Sequence, residues 1–289
     1  TRVVNAHLPG AGRDGAGAPR CLAIHYQDAH PQRPTRVQRE TFPAYFSPSG
    51  YSTVACPQLY AGQPVTARLA ADAANVGAVE VCLFVKAQGA AEAPVSTYGP
   101  VSRLAPGESA ELVWAVQTEP DALITWIGVE LRPQNAAAGT VYLDSLDWRG
   151  VPTADLLPER VVGSHWAQAW VPALDRLTPG RGHALRLNQN RGLGLAIQGL
   201  REWQDYTVSA RLTPHLARSF GLAARVQGLT RFLALRLTDD GRAQLVRALD
   251  AEQVLAECAW PWELYQPYDL ALTVKGDRLL ASVNGQRLF

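Results

Sequence analysis

The chain has 289 residues, 47% of them hydrophobic and 18% charged, which supplies apolar material for sizeable cores and excludes global disorder. Its 27 basic and 26 acidic side chains leave a formal charge of +1, which argues against nucleic acid or an anionic membrane as a partner. The length suits two domains, and no run approaches the ~18–20 consecutive apolar residues of a membrane-spanning helix.

The sequence starts at Thr1 and contains no Met, which reads as a processed protein or, preferably, a piece of a longer one. On that reading chemistry can lie upstream of Thr1. Pro9 to Pro19 is rich in Gly, Ala and Pro and reads as a linker or surface loop, within an N-terminal extension over residues 1–36. His25, Asp28 and His30 form a compact group of metal-ligand types. The local sequence lacks a third strong ligand for zinc, so loop capping is the preferred reading. Arg33, Arg36 and Arg39 recur every three residues and read as a solvated or domain-docking segment, with a phosphate-facing strip as the alternative. Cys21, Cys56, Cys82 and Cys258 are widely spaced without a CxxC, so free thiols are expected. Together with the lack of a signal-like start, they point to the cytoplasm, a secreted parent staying open if the chain is a piece.

From about residue 40 onward the pattern is that of strands. Val79, Val81, Leu83 and Val85 alternate with Glu80, Cys82, Phe84 and Lys86. Ala110, Leu112, Trp114 and Val116 repeat the period of two, as do Ile127, Val129 and Leu131. Turn chemistry at Asn75–Gly77, Ala105–Glu108 and Asn135–Gly139 separates these runs, and Val141 to Trp148 closes the unit. The first domain is therefore placed at 37–150, with a Pro-bearing linker at 151–160.

Residues 161–289 repeat the logic. Val208 to Leu212, Leu222 to Val226, Leu233 to Leu237, Ala243 to Leu249, Leu270 to Val274 and Leu279 to Val283 alternate between turns at Asp239–Gly241, Gly276–Asp277 and Asn284–Gly285. No helical period long enough for a βαβ unit occurs. The expected fold class is all-β, two antiparallel β-sandwiches in tandem.

The closing run Val141-Tyr-Leu-Asp-Ser-Leu-Asp-Trp148 resembles that of galactose-binding-like sandwiches. Trp203 to Leu212, Gly221 to Val226, Tyr268 to Val274 and Gly276 to Gly285 resemble, in that order, a concanavalin-like or laminin-G-like jelly roll. With Ala29 to Thr41, the chain resembles the C-terminal accessory region of bacterial ADP-ribosylglycohydrolase-family proteins. That resemblance implies a magnesium-binding catalytic domain upstream, in cis. It also implies a structural calcium in the first sandwich, for which Asp144 or Asp147 with Glu40 would supply hard oxygen ligands. The alternative for Asp144 is solvent or a loop amide.

No GxSxG, HExxH or phosphate-cradling glycine loop is present, and Asp239-Asp240 sits where a turn selects such residues. The chain itself therefore reads as non-catalytic. Its candidate binding residues are aromatic: Trp260, Trp262, Tyr265 and Tyr268 cluster in a loop whose Trp-Pro-Trp cannot be strand interior. Arg225, Gln227 and Arg236 are the polar candidates on the outer face of the second sandwich, while Trp166, Trp170 and Trp203 are read as core. The expected ligand is a glycan or an ADP-ribose-like molecule. Two alternatives are a structural or oligomerisation spacer, and a glycoside hydrolase or lyase acting from the concave face of the jelly roll.

Overall fold

The computed structural model describes residues 1–7, 20–42, 56–89, 93–119, 122–134, 137–157, 169–179 and 184–289. The Pro9–Pro19 stretch, Asn135 and Trp166 lie outside the described residues. Every regular element among the described residues is a β-strand. The chain divides into two compact units, Thr1–Trp170 with Pro179–Ala184, and Val171–Thr178 with Leu185–Phe289.

In the first unit the strands are β1 (Arg2–His7), β2 (Arg20–Ala29), β3 (Thr35–Glu40), β4 (Pro64–Ala71), β5 (Val79–Gln88), β6 (Val95–Tyr98), β7 (Ser102–Leu104), β8 (Ser109–Ala115), β9 (Leu123–Pro133) and β10 (Ala137–Trp148). One antiparallel sheet runs β1-β2-β10-β4-β8; the other runs β3-β9-β5-β6, with β7 also pairing β5. The predicted alternations hold. Val79, Val81, Leu83 and Val85 share one core with Ile127, Val129 and Leu131 of the same sheet and with Ile24, Val65, Leu69 and Val141 of the other. Fully burying such a side chain contributes about 1.5–3 kcal/mol, which is why the period of two decides the register.

The reading of residues 1–36 as an extension preceding the first sandwich does not hold. β2 lies between β1 and β10 and buries Ala23, Ile24 and Tyr26, while β3 pairs β9 from Thr35 to Glu40. A strand hydrogen-bonded on both sides satisfies its backbone within the sheet, as a free linker would not.

The rest of the chain supplies β11 (Val171–Ala173), β12 (Arg176–Pro179), β13 (Leu185–Asn188), β14 (Leu195–Ile197), β15 (Tyr206–Leu212), β16 (Ser219–Gly228), β17 (Arg231–Thr238), β18 (Arg242–Leu249), β19 (Ala251–Ala259), β20 (Tyr268–Lys275), β21 (Arg278–Val283) and β22 (Gln286–Arg287). Sheets β15-β20-β21-β22 and β16-β17-β18-β19 enclose a core of Leu222, Leu235, Leu237, Leu245, Leu270, Leu272, Val274 and Val283. The ribbons β11-β14 and β12-β13 complete the set. Asn284 and Gly285, at φ 50° and 77°, form the tight turn that their sequence predicts between β21 and β22.

Candidate functional site

The loop between β19 and β20 sorts its aromatic residues into two roles. Trp260 and Trp262 pack against the core of the second unit, and Tyr268 lies within it. Trp262 Nε1 donates to the Thr238 carbonyl at 2.6 Å, and its ring meets Phe220 edge-on at 5.0 Å. The Tyr268 hydroxyl accepts from the Glu263 amide at 2.8 Å. Three of the four rings are thus anchors, all held by apolar packing, and Trp262 and Tyr268 also by partners for their polar tips.

Tyr265 is the exception. It is 60% exposed, its backbone stands at φ 66°, and its amide donates to the Pro214 carbonyl at 2.9 Å. The phenol ring meets His215 edge-on at 5.1 Å and 78°. Beside it in the β15–β16 loop, Leu216 is 85% exposed, also with a positive φ of 55°. A bulky side chain in the left-handed region costs of order 1–3 kcal/mol and persists only where its surroundings fix it. Here the flanking anchors Trp262 and Tyr268 fix the loop, and the strained residue carries its ring outward. Glu263 and Gln266, close to it in sequence, and His215, against its ring, are exposed. Together they supply hydrogen-bonding groups at the margin of an apolar ring.

The polar candidates do not join that loop. Arg225, in a β-bulge at φ 49°, is a clamp. Its amide donates to the Tyr206 hydroxyl, Nε to the Gln204 carbonyl, Nη1 to the Gly276 carbonyl and Nη2 to Asp205. Arg236 is held by Gln244 and Glu252. It pairs across from Gly221, four residues along β16 from Arg225, a separation of about 13 Å at strand rise. Gln227 is exposed near the end of β16. Both guanidinium groups spend their donors on the fold.

As calcium donors, Glu40, Asp144 and Asp147 do not come together. Glu40 is on β3 in one sheet, whereas Asp144 and Asp147 are on β10 in the other. Asp147 accepts from Arg149 Nε and from the Trp148 amide. No group of three His, Cys, Asp or Glu side chains suited to a metal gathers among the described residues. His25 instead bonds the Thr140 hydroxyl through Nδ1 at 2.9 Å, and His30 and Arg33 close a turn through paired backbone bonds. Asp240 accepts from the Thr238 hydroxyl within the β17–β18 turn, a structural role.

Two features of the first unit are new. A half-open cavity of about 230 Å³, lined by Tyr60, Thr118, Glu119, Leu123, Thr153 and Asp155 among others, sits at the end where β4 and β9 begin. The other is a polar cluster on the outward face of β3, β9, β5 and β6. Glu130, fully buried, accepts from Arg36 Nε on one oxygen and from Arg132 Nε on the other. Arg36 Nη2 donates to the Tyr98 hydroxyl at 2.8 Å. The cations stack on aromatic rings, Arg36 at 5.9 Å from Phe84 and both arginines at 5.8 Å from Tyr98. Hydrogen bonds to Glu130 hold both guanidinium groups more basic than usual. Beneath them burial, aided by the Glu130 charge, pushes the Cys82 thiol up to about 11. The signal in the sequence was the alternation itself: Ile127, Val129 and Leu131 face inward, so Gly128, Glu130 and Arg132 share the other face.

Compared with known protein families and with curated proteins, the chain matches no family model and no curated protein.

Proposed function

We propose that this chain is a non-catalytic glycosyl-ligand-binding region, in which Tyr265 is the platform that a sugar ring stacks on. Sugars present apolar C–H faces together with hydroxyl groups, so they suit an exposed aromatic ring with polar groups at its margin. The observation that carries the reading is the backbone strain at Tyr265, spent on exposing a phenol ring while its three aromatic neighbours are anchored. On this reading the first unit is galactose-binding-like, the second concanavalin-like or laminin-G-like. The chain serves as the recognition part beside an ADP-ribosylglycohydrolase-type catalytic domain, to which the chemistry belongs. The resemblance in sequence and the all-β sheet pattern support this assignment.

A glycan array probed with the purified chain tests it, with ADP-ribose added as a soluble competitor. Binding of one sugar class is expected, reduced at least tenfold by Tyr265→Ala and unchanged by Gln227→Ala. Trp262→Phe serves as a control that alters packing without removing the exposed ring. Absence of any bound sugar, with the chain folded, would favour the structural spacer instead.

A further inference from the structure

The outward face of β3, β9, β5 and β6 carries an arrangement that the fold does not require. Burying a carboxylate is costly even when paired, and an apolar residue at Glu130 would serve the sheet as well. Instead Glu130 holds two arginines, one through each oxygen, and Tyr98 caps the pair. The side chains of Arg36 and Arg132 stay 44% and 32% exposed, and Tyr98 is 37% exposed. Arg36 Nη1, Arg132 Nη1 and the Tyr98 hydroxyl hydrogen have no partner among the described residues. Two cations against one carboxylate leave one positive charge there. Across the whole face Arg36, Arg132, Arg103 and Lys86 stand against Glu130, Glu80 and Glu40. Gly128 completes the floor: a Cβ at that position would stand 2.8 Å from the Phe84 ring, which lies over β9 and beneath the Arg36 guanidinium.

We propose that Arg36, Arg132 and Tyr98 form a binding site for a phosphoryl group, with Glu130 as a positioning residue that fixes both guanidinium groups before the ligand arrives. Three donors suit the several oxygens of a tetrahedral phosphoryl group better than the two of a carboxylate. Fixing the arginines beforehand removes the ordering cost that free surface arginines would meet on binding. The site is independent of the sugar platform on the second unit.

Isothermal titration of the full chain with inorganic phosphate, ribose 5-phosphate and acetate, at constant ionic strength, tests the proposal. Saturable binding of at least one phosphoryl compound is expected, with acetate weaker. Inorganic phosphate alone would identify a free-anion site, and ribose 5-phosphate binding more tightly would identify a phosphate-ester site. Arg132→Lys keeps the charge and the ion pair but loses the fork, and should weaken binding at least tenfold. Glu130→Gln should also weaken it, although it makes the face more positive, because the arginines lose their anchor. No heat from any phosphoryl compound up to ~20 mM, equal binding of acetate, or tighter binding by Glu130→Gln would overturn the proposal. Circular dichroism and the melting temperature of each variant establish that it is folded, and Tyr98→Phe gives a third, milder test through loss of one donor.

Discussion

At the residue scale, position decides chemistry more than residue type does. Cys82 is 1% exposed, and its thiol is pushed up to about 11, from an ordinary 9.0, by burial and then by the Glu130 charge. Its raised value fixes the sign of a pH effect. The folded state holds the proton more tightly, so the contribution to stability is fully present below the ordinary thiol value and is lost as the pH climbs toward 11. Urea unfolding between pH 8 and 10.5 should therefore show a loss that Cys82→Ala reduces; identical slopes for both proteins would contradict the assignment. The same dependence on position separates Tyr265 from Trp262. Both are aromatic residues of one loop, yet one is held at φ 66° in solvent and the other bonds Thr238 against the core.

At the element scale, Gly128 shows how a strand accommodates a cluster on its outer face. A Cβ there would overlap the Val37 carbonyl and crowd Phe84, so β3, β5 and β9 are in register only with glycine at that point. Gly128→Ala should destabilise the first unit by about 1–3 kcal/mol, the usual cost of overpacking. Urea denaturation would show this as a lowered midpoint. The strands best legible in the sequence were those with long aliphatic alternations, β5, β9, β17 and β20. β2 and β4 were not. In β4 the inward positions include Ala67 and Ala71, whose small side chains carry little strand signal. In β2 the residues Cys21, Ala23, Ile24 and Tyr26 are all buried, which blurs the alternation, and the nearby histidines drew attention to metal chemistry instead. The aromatic loop was legible as a cluster, but the sign of φ at Tyr265 was not, because nothing in Leu264-Tyr265-Gln266 demands it. Likewise the partners of Arg225 and Arg236 depend on cross-strand register and bulges, which only the folded sheet supplies.

At the scale of the whole molecule, stability should be bounded on the acid side by carboxylates with hydrogen-bonded partners. Asp72 is held below the ordinary carboxylate value by the Tyr142 hydroxyl and then by the Ala74 amide, Asp250 by Arg231 and Asp269 by Arg211. Depressed values contribute stability that is present above the unfolded-state value, near ~3.9, and is lost as the pH falls through the folded one. The melting temperature should therefore drop as the pH is lowered from about 4 toward 2. The drop should be smaller in Asp72→Asn. Added salt at neutral pH should weaken the exposed Arg211–Asp269 and Arg231–Asp250 pairs, whose contribution is small in any case. A molecule built in this way is two β-rich cores whose distinctive chemistry lies on outward faces and loops.

The most direct test of the account is to label the tyrosine rings with ¹³C and follow the Tyr265 signal, assigned by Tyr265→Phe, while titrating the sugars selected on the array. The account predicts a saturable shift of that ring, with the signals of the buried Tyr268 unmoved. A sugar that binds the chain and leaves the Tyr265 ring unshifted would contradict it.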